Sequence, residues 1–403
     1  MEKINTAVAL CAVGAEKVVS NELRKLNFKV DESLYGRVRF KADTAGLYRA
    51  LIGLRAADRV LLEVSNFKAE NFDALFEGTS AAPWEQIVPK GMGLKIAKVR
   101  SSRSRLKAET SIQAMVHKAA AQRLCGKYKV SRLPDSGSGV YSEAEARVYI
   151  EKDIVSLLVD LSGEPLFKRG YRSEGGIAPL RETTAASILL LSGWKRKFPL
   201  YDPFCGSGTI LIEAAMYAWD MAPGLGRNFA VEKLALADAK IEQSVRDEFR
   251  SKIDFSRLIR IAGSDEDPRS VSIAASNAER LRDIAEGRDP QKGIRSGTKV
   301  MELKTLPLKE AKSPFSGTGQ SDQGLLITNP PYGKRLGDQA QAEKIYREMG
   351  SLGINSLGRR FPGWKLGVIT DSEGFESFFG KKAESCREIS HGNTPSYFYQ
   401  YDL

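Results

Sequence analysis

Two stretches of the chain combine residue types that can do chemistry. The first is Gly324-Leu325-Leu326-Ile327-Thr328-Asn329-Pro330-Pro331-Tyr332-Gly333, an apolar run closing on an asparagine, two prolines and a tyrosine. Two prolines can end a strand for purely structural reasons. The chemical alternative concerns an exocyclic amine on a nucleobase, a weak nucleophile because its lone pair is delocalised into the ring. The Asn329 side-chain oxygen and the Pro330 carbonyl can each accept one of its N–H groups, leaving the lone pair aimed at an electrophilic carbon. Pro330 and Pro331 stiffen the turn and offer no competing N–H, and Tyr332 can stack on the base. Such a transfer needs no histidine base and no metal, only positioning and a fixed polar environment for a cationic centre. The motif alone does not separate guanine N2 from adenine N6.

The second stretch is Leu200-Tyr201-Asp202-Pro203-Phe204-Cys205-Gly206-Ser207-Gly208-Thr209, followed by the apolar Ile210-Leu211-Ile212-Glu213-Ala214-Ala215. It reads as a strand ending at Asp202, a turn, and a helix opened by Thr209. Gly206 and Gly208 allow positive φ and a close approach of backbone to ligand, and the helix start offers free N–H groups. A dinucleotide fingerprint needs a small residue where Leu211 stands, and a phosphate-binding P-loop needs a Gly-Lys-Ser/Thr run that the chain lacks. S-adenosylmethionine remains, its ammonium paired with Asp202. Downstream, Leu258-Ile259-Arg260-Ile261-Ala262-Gly263-Ser264-Asp265 reads as a strand whose terminal carboxylate can take both ribose hydroxyls. Asp265 is preferred for this over Asp267, which stands where a helix beginning at Pro268 needs its cap.

These residues must be held by a scaffold. Beyond Gly163–Gly176, a Gly-rich and charged linker, apolar strands alternate with amphipathic helices, the pattern of a parallel sheet with crossover helices. The stretch 286–323 is rich in Gly, Ser and Lys, interrupted by a short strand at Lys299–Leu303. In the front half, Ala7–Val13 and Arg37–Phe40 read as strands and Ala15–Leu26 as a helix. Gly93–Arg100 reads as a strand with its cations on one face, and a helix follows from about Glu109 to Leu124. Ala146–Ile150 and Ile154–Leu161 read as a closing strand pair.

The net charge of +11 is unevenly spread. Lys95 to Arg132 holds eleven basic residues and one acid, Glu109, while the rest of the chain is near neutral. Lys95, Lys98, Arg100, Arg103, Arg105 and Lys107 are therefore expected to bind nucleic-acid phosphates, in preference to forming an ordinary solvated face. Four single cysteines (Cys11, Cys125, Cys205, Cys386) exclude a disulfide framework and a paired-cysteine zinc site, and fit a reducing cytoplasm. No apolar run is long enough for a membrane span, and no signal-peptide cleavage pattern follows Met1. Cys205 reads as packing, not as a nucleophile, and His117 and His391 take no catalytic role.

The chain resembles the bacterial THUMP-domain RNA methyltransferases, closest to the 23S rRNA guanine-N2-methyltransferases, long labelled predicted N6-adenine-specific DNA methylases. The resemblance rests on Leu166–Arg172, Ala178–Thr183, Asp202–Glu213, Ala222–Leu225, Asn329–Gly333 and Tyr397–Tyr401, and covers essentially the whole chain. It implies an α/β protein with a ferredoxin-like unit (1–50) and a THUMP RNA-binding domain (51–162). A linker and cofactor-covering segment (163–195) and a Rossmann-like class I methyltransferase domain with a seven-stranded sheet (196–403) complete it. The implied catalytic residues are Asn329, Pro330, Pro331 and Tyr332. The implied cofactor residues are Asp202, Phe204, Gly206, Ser207, Gly208, Thr209 and Asp265, with Glu182 and Thr183 from the covering segment. The implied partner is RNA, 23S rRNA or a ribosomal assembly intermediate, without metal or membrane. Some homologues carry a second methyltransferase domain; with its end at Leu403, this chain is expected to have one. The sequence departs from the family where an acid normally follows the third strand, since Lys304 takes that place in Glu302-Leu303-Lys304-Thr305. It also lacks the aromatic after the insert, Phe229-Ala230-Val231-Glu232-Lys233 being followed by Leu234. The rival readings are an adenine-N6 methylase of DNA and a noncatalytic ribosome-assembly factor.

Overall fold

Alternating apolar residues in the front half build one continuous sheet. The computed structural model describes residues 4–134, 143–172, 180–288, 300–311, 315, 323–331, 339–352, 361, 363–391 and 394–403. Its first elements are β1 (Asn5–Cys11), α1 (Glu16–Lys25), β2 (Lys29–Leu34), β3 (Arg37–Ala42), α2 (Thr44–Gly53) and β4 (Ala57–Lys68). Next come α3 (Phe72–Ala81), β5 (Gly93–Ser102), α4 (Glu109–Tyr128), β6 (Glu143–Glu151) and β7 (Ile154–Asp160). The strands order as β2-β3-β1-β4-β7-β6-β5, antiparallel throughout except for the parallel pair β5–β6. β4 pairs with β1 on one side and β7 on the other, so the front half shares a single sheet, and position 50 falls inside α2. The closing pair β6–β7 turns on Lys152 and Asp153, both at positive φ, as a two-residue hairpin requires.

The second half alternates helix and strand: α5 (Glu182–Leu191), β8 (Leu200–Asp202), α6 (Thr209–Ala218), α7 (Ala239–Ser251), β9 (Ile261–Asp265), α8 (Pro268–Ala285) and β10 (Glu302–Thr305). There follow β11 (Leu325–Thr328), the helix Gln339–Leu352, β12 (Lys365–Thr370), the helix Phe375–Phe379, β13 (Ser385–His391) and β14 (Thr394–Asp402). The order β10-β9-β8-β11-β12-β14-β13 is parallel through β12, with β14 and β13 antiparallel. The winding reverses between β8 and β11, and a ligand crevice opens at such a point, outside the carboxyl ends of the strands. Among the described residues, no helix is long and apolar enough to cross a membrane.

Buried polar groups join the halves. Glu22 accepts from the backbone N–H groups of Arg55 and Ala56, each at 3.0 Å, and the Arg55 guanidinium donates to Met221 O at 2.6 Å. Arg169, only 2% exposed, donates to Leu166 O at 2.6 Å and to Arg55 O, and its Nε lies 3.4 Å from Glu213 on α6. The Gly224 N–H meets Ile52 O at 2.9 Å, and Val13 and Ser390 exchange two backbone hydrogen bonds. The family-like segments Leu166–Arg172 and Ala222–Leu225 thus form much of the junction.

Candidate active site

A cavity of about 580 Å³ lies at the carboxyl ends of β8, β9, β10 and β11. Asp202, Phe204, Gly206, Ser207, Thr209 and Asp265 line it, as do Asn329 and Pro331. The two motifs of the sequence therefore open into one space. Pro330 is buried just behind, and Tyr332 lies outside the described residues.

The turn after β8 is locally determined. Gly206 and Gly208 have φ of +51° and +81°, and Gly208 caps α6. A Cβ on Gly208 would stand 3.0 Å from the Ala274 Cβ, so helix α8 also requires a glycine there. Leu211, where a dinucleotide fingerprint would have a small residue, is fully buried over Gly263, whose own missing Cβ makes the room. Close helix–strand packing is thus achieved from the neighbouring strand.

Asp202 is 1% exposed, and among the described residues both of its hydrogen bonds end on Oδ1, from Phe204 N at 3.0 Å and from the Thr328 hydroxyl at 2.6 Å. Burial pushes its carboxyl up to about 7, against those two hydrogen bonds, with the nearby Asp265 adding to the rise. A buried carboxylate with a bare oxygen toward a cavity fits a cationic ligand group. Asp265 accepts from Gly206 N at 2.9 Å and from Asp267 N at 3.0 Å, which holds it at the rim of the same loop. Asp267 caps α8 through Arg269 N and Ser270 N, with Pro268 in the first turn. The Cys205 thiol is buried and pushed upward by burial, a packing role.

Three expectations change. Glu182 and Thr183 do not line the cavity. Glu182 lies 3.1 Å from Arg172 Nε, inside the linker, while the Thr183 hydroxyl donates to Asp58 Oδ1 at 2.6 Å and is engaged at the junction with the front half. From the described part of that segment it is Leu180 that reaches the cavity. Lys304 lies within β10, paired in register with Ser264, and is exposed; the residues past the strand end, Pro307, Leu308 and Lys309, line the cavity instead. The strand expected at Leu258 begins only at Ile261.

Sequence reading missed Ser270 and Ile273 on α8 and Ile345 and Glu348 on the helix Gln339–Leu352. Each pair is spaced by three residues, the one-face spacing of a helix, but nothing in that spacing tells a cavity face from a core face.

The six basic residues proposed for phosphate binding are all exposed. Strict alternation would put Lys95 on the face opposite Lys98 and Arg100. A bulge at Ala97 restores them to one face, since Ile96 pairs with Ala146 and Lys98 with Arg147 on β6. β5 is the edge strand of its sheet. Arg100 pairs with Glu109 at 3.4 Å and Arg105 with Glu70. Among the described residues, Lys95, Lys98, Arg103 and Lys107 have no acidic partner within 4 Å. Lys98 is pushed below its ordinary value by partial burial and by the neighbouring Arg100 and Arg147.

Comparison with known proteins matches residues 169–290 and 295–399 to the family described as RMKL-like, methyltransferase domain, and residues 6–61 to the RlmL ferredoxin-like domain. The chain belongs to the RMKL-like methyltransferase family. It is 33% identical over 398 residues to "Putative RNA methyltransferase YpsC" of Bacillus subtilis (strain 168), covering 98% of this chain and 95% of that protein. It is 29% identical over 401 residues to "Ribosomal RNA large subunit methyltransferase K/L" of Marinomonas sp. (strain MWYL1), covering 98% of this chain and 52% of that protein, about half its length. Among solved structures, SMU.472 "complexed with SAH" superposes with a TM-score of 0.82 at 35% identity, covering 100% of this chain and 99% of the other. The ferredoxin-like match agrees with the front sheet, and the methyltransferase match spans the rear sheet and its crevice.

Proposed function

We propose that this chain methylates an exocyclic amine of an RNA base, guanine N2 of 23S rRNA, with S-adenosylmethionine as methyl donor. The observation that carries this reading is the single cavity into which Asp202 of β8 and Asn329, at the end of β11, both open. The names of the Bacillus and Marinomonas relatives, and the S-adenosylhomocysteine in the SMU.472 complex, support it.

When bound, S-adenosylmethionine supplies a methyl group on a positively charged sulfur. The residues of the chain do the rest. Asp202 holds the ammonium end through its bare oxygen, Asp265 takes the ribose hydroxyls, and the Gly206–Thr209 turn shapes the wall between them. Pro307 and Leu308 flank the end of the third strand, where the family places its adenine contact. Asn329 Oδ1 and the Pro330 carbonyl accept the two N–H groups of the target amine, and Tyr332 stacks on its base. The amine keeps both protons during transfer and the methylated, cationic nitrogen then releases one to water, so no general base is needed. The recessed site requires the base to leave its stack, at a cost of a few kcal/mol that is lowest in loops or an assembly intermediate. The segment 51–162 acts as the THUMP domain and carries the phosphate-binding face at β5.

The test is tritium transfer from labelled S-adenosylmethionine to 23S rRNA from a strain deleted for this gene, followed by nucleoside analysis. N2-methylguanosine supports the reading. Label in DNA adenine would favour the adenine-N6 rival. Absence of label in any nucleic acid would favour a noncatalytic assembly factor.

A further inference from the structure

The ladder between the two site strands stops short of the crevice. β8 and β11 pair at Leu200 with Leu325 and at Tyr201 with Leu326, and the pairing ends there. On their outer sides the same strands stay paired to their tips, Asp202 with Gly263 of β9 and Thr328 with Val368 of β12. The seam between β8 and β11 is therefore open where the site begins. Among the described residues one side-chain bond spans it: the hydroxyl of Thr328, fully buried, donates to Asp202 Oδ1 at 2.6 Å. Thr328 immediately precedes Asn329.

We propose that Thr328 is a positioning residue that clamps this open seam and turns the bare oxygen of Asp202 toward the ammonium end of the cofactor. The inference rests on the reading of Asp202 as the cofactor's anchor. Phe204 N alone would leave the carboxylate free to rotate about its bond to the loop; a second donor on the same oxygen, from a different strand, fixes the carboxylate plane. The clamp also favours the anion. Among the described residues, Asp265 from β9 and Cys205 from the loop face Asp202, and neither supplies positive charge. Burial dominates, and the Thr328 hydroxyl is the side-chain group opposing it.

The test uses the full chain and equilibrium binding of S-adenosylmethionine from pH 6 to 9, with no RNA present. Thr328→Val is nearly isosteric and keeps a β-branched residue in the strand, so it should fold; a thermal melt checks this. Loss of a buried hydrogen bond to a charged group should weaken cofactor binding about tenfold. The pH at which binding is half lost should rise by about one unit. Thr328→Ser, which keeps the hydroxyl, should restore most of both. A Val variant with wild-type affinity and pH midpoint would overturn the proposal. So would a Ser variant as impaired as Val, because the hydroxyl would then not be the cause. Asp202→Asn separates the two readings. If it weakens binding while Thr328→Val does not, only the clamp fails. If it leaves affinity unchanged, the anchor reading fails and the clamp with it.

Discussion

The edge of the front sheet and the crevice of the rear half handle charge in opposite ways. The front sheet sets cations on an edge strand, exposed and, among the described residues, mostly without acidic partners, where they can meet a polyanion at little desolvation cost. The rear half buries carboxylates: Asp202 at the tip of β8 and Glu182 at the start of α5 are both pushed up to about 7, chiefly by burial. An exposed cation contributes diffuse, salt-sensitive attraction. A buried carboxylate is costly until a specific cation arrives, so it discriminates between ligands. The front half is thereby suited to holding a large substrate and the rear half to reading a small cofactor.

Several substitutions sharpen that contrast. The largest effect is expected at Asn329→Ala, which removes an acceptor needed only at the reacting amine. The turnover number should fall by about 10²- to 10³-fold, with cofactor affinity nearly unchanged by calorimetry. Next is acidification. Below about pH 7 the Asp202 carboxyl takes up a proton and loses its attraction for an ammonium group. Cofactor affinity should therefore fall about fivefold between pH 7 and 6 in binding titrations, and Asp202→Asn should abolish that slope. A comparable but salt-dependent loss is expected from Lys95→Glu with Lys98→Glu. RNA affinity should drop, and the slope of log affinity against log salt should become shallower by about 1.4, at roughly 0.7 per lost contact on single strands. An unaltered slope would move the RNA surface elsewhere.

The smallest effect is on stability. Asp202 binds its proton more tightly folded than unfolded, so its stabilising contribution is complete below the unfolded value, near 4, and is lost as pH rises through about 7. Without cofactor, Asp202→Asn should gain melting temperature relative to the parent chain as pH rises from 5 to 8. A constant difference would mean that Asp202 is not buried in this way.

Much of this was readable from residue types. The turn at Gly206 and Gly208, the carboxylates ending two neighbouring strands, and the Asn-Pro-Pro tip all follow from local rules that tertiary context leaves intact. The cap at Asp267 and the hairpin at Lys152-Asp153 are local in the same sense. What escaped was set by register and by distant partners. The bulge at Ala97, which aligns Lys95 with Lys98, has no composition signal. Thr183 is polar and next to a buried glutamate, and only the fold shows that its partner is Asp58, far back in the chain. Lys304 illustrates a boundary error: a shift of two or three residues at a strand end exchanges a sheet position for a cavity position. The front half, which the family resemblance divides at position 50, is continuous in space because β4 pairs on both sides.

The central claim is that the front sheet holds the substrate and the rear sheet transforms it. Single-turnover methyl transfer, measured across a range of RNA concentrations with cofactor saturating, tests this most directly in the chain carrying Lys95→Glu and Lys98→Glu. The RNA concentration for half-maximal rate should rise about tenfold while the rate at saturation stays at the parent value. A fall in the saturating rate, with the half-maximal concentration unchanged, would contradict the division of labour.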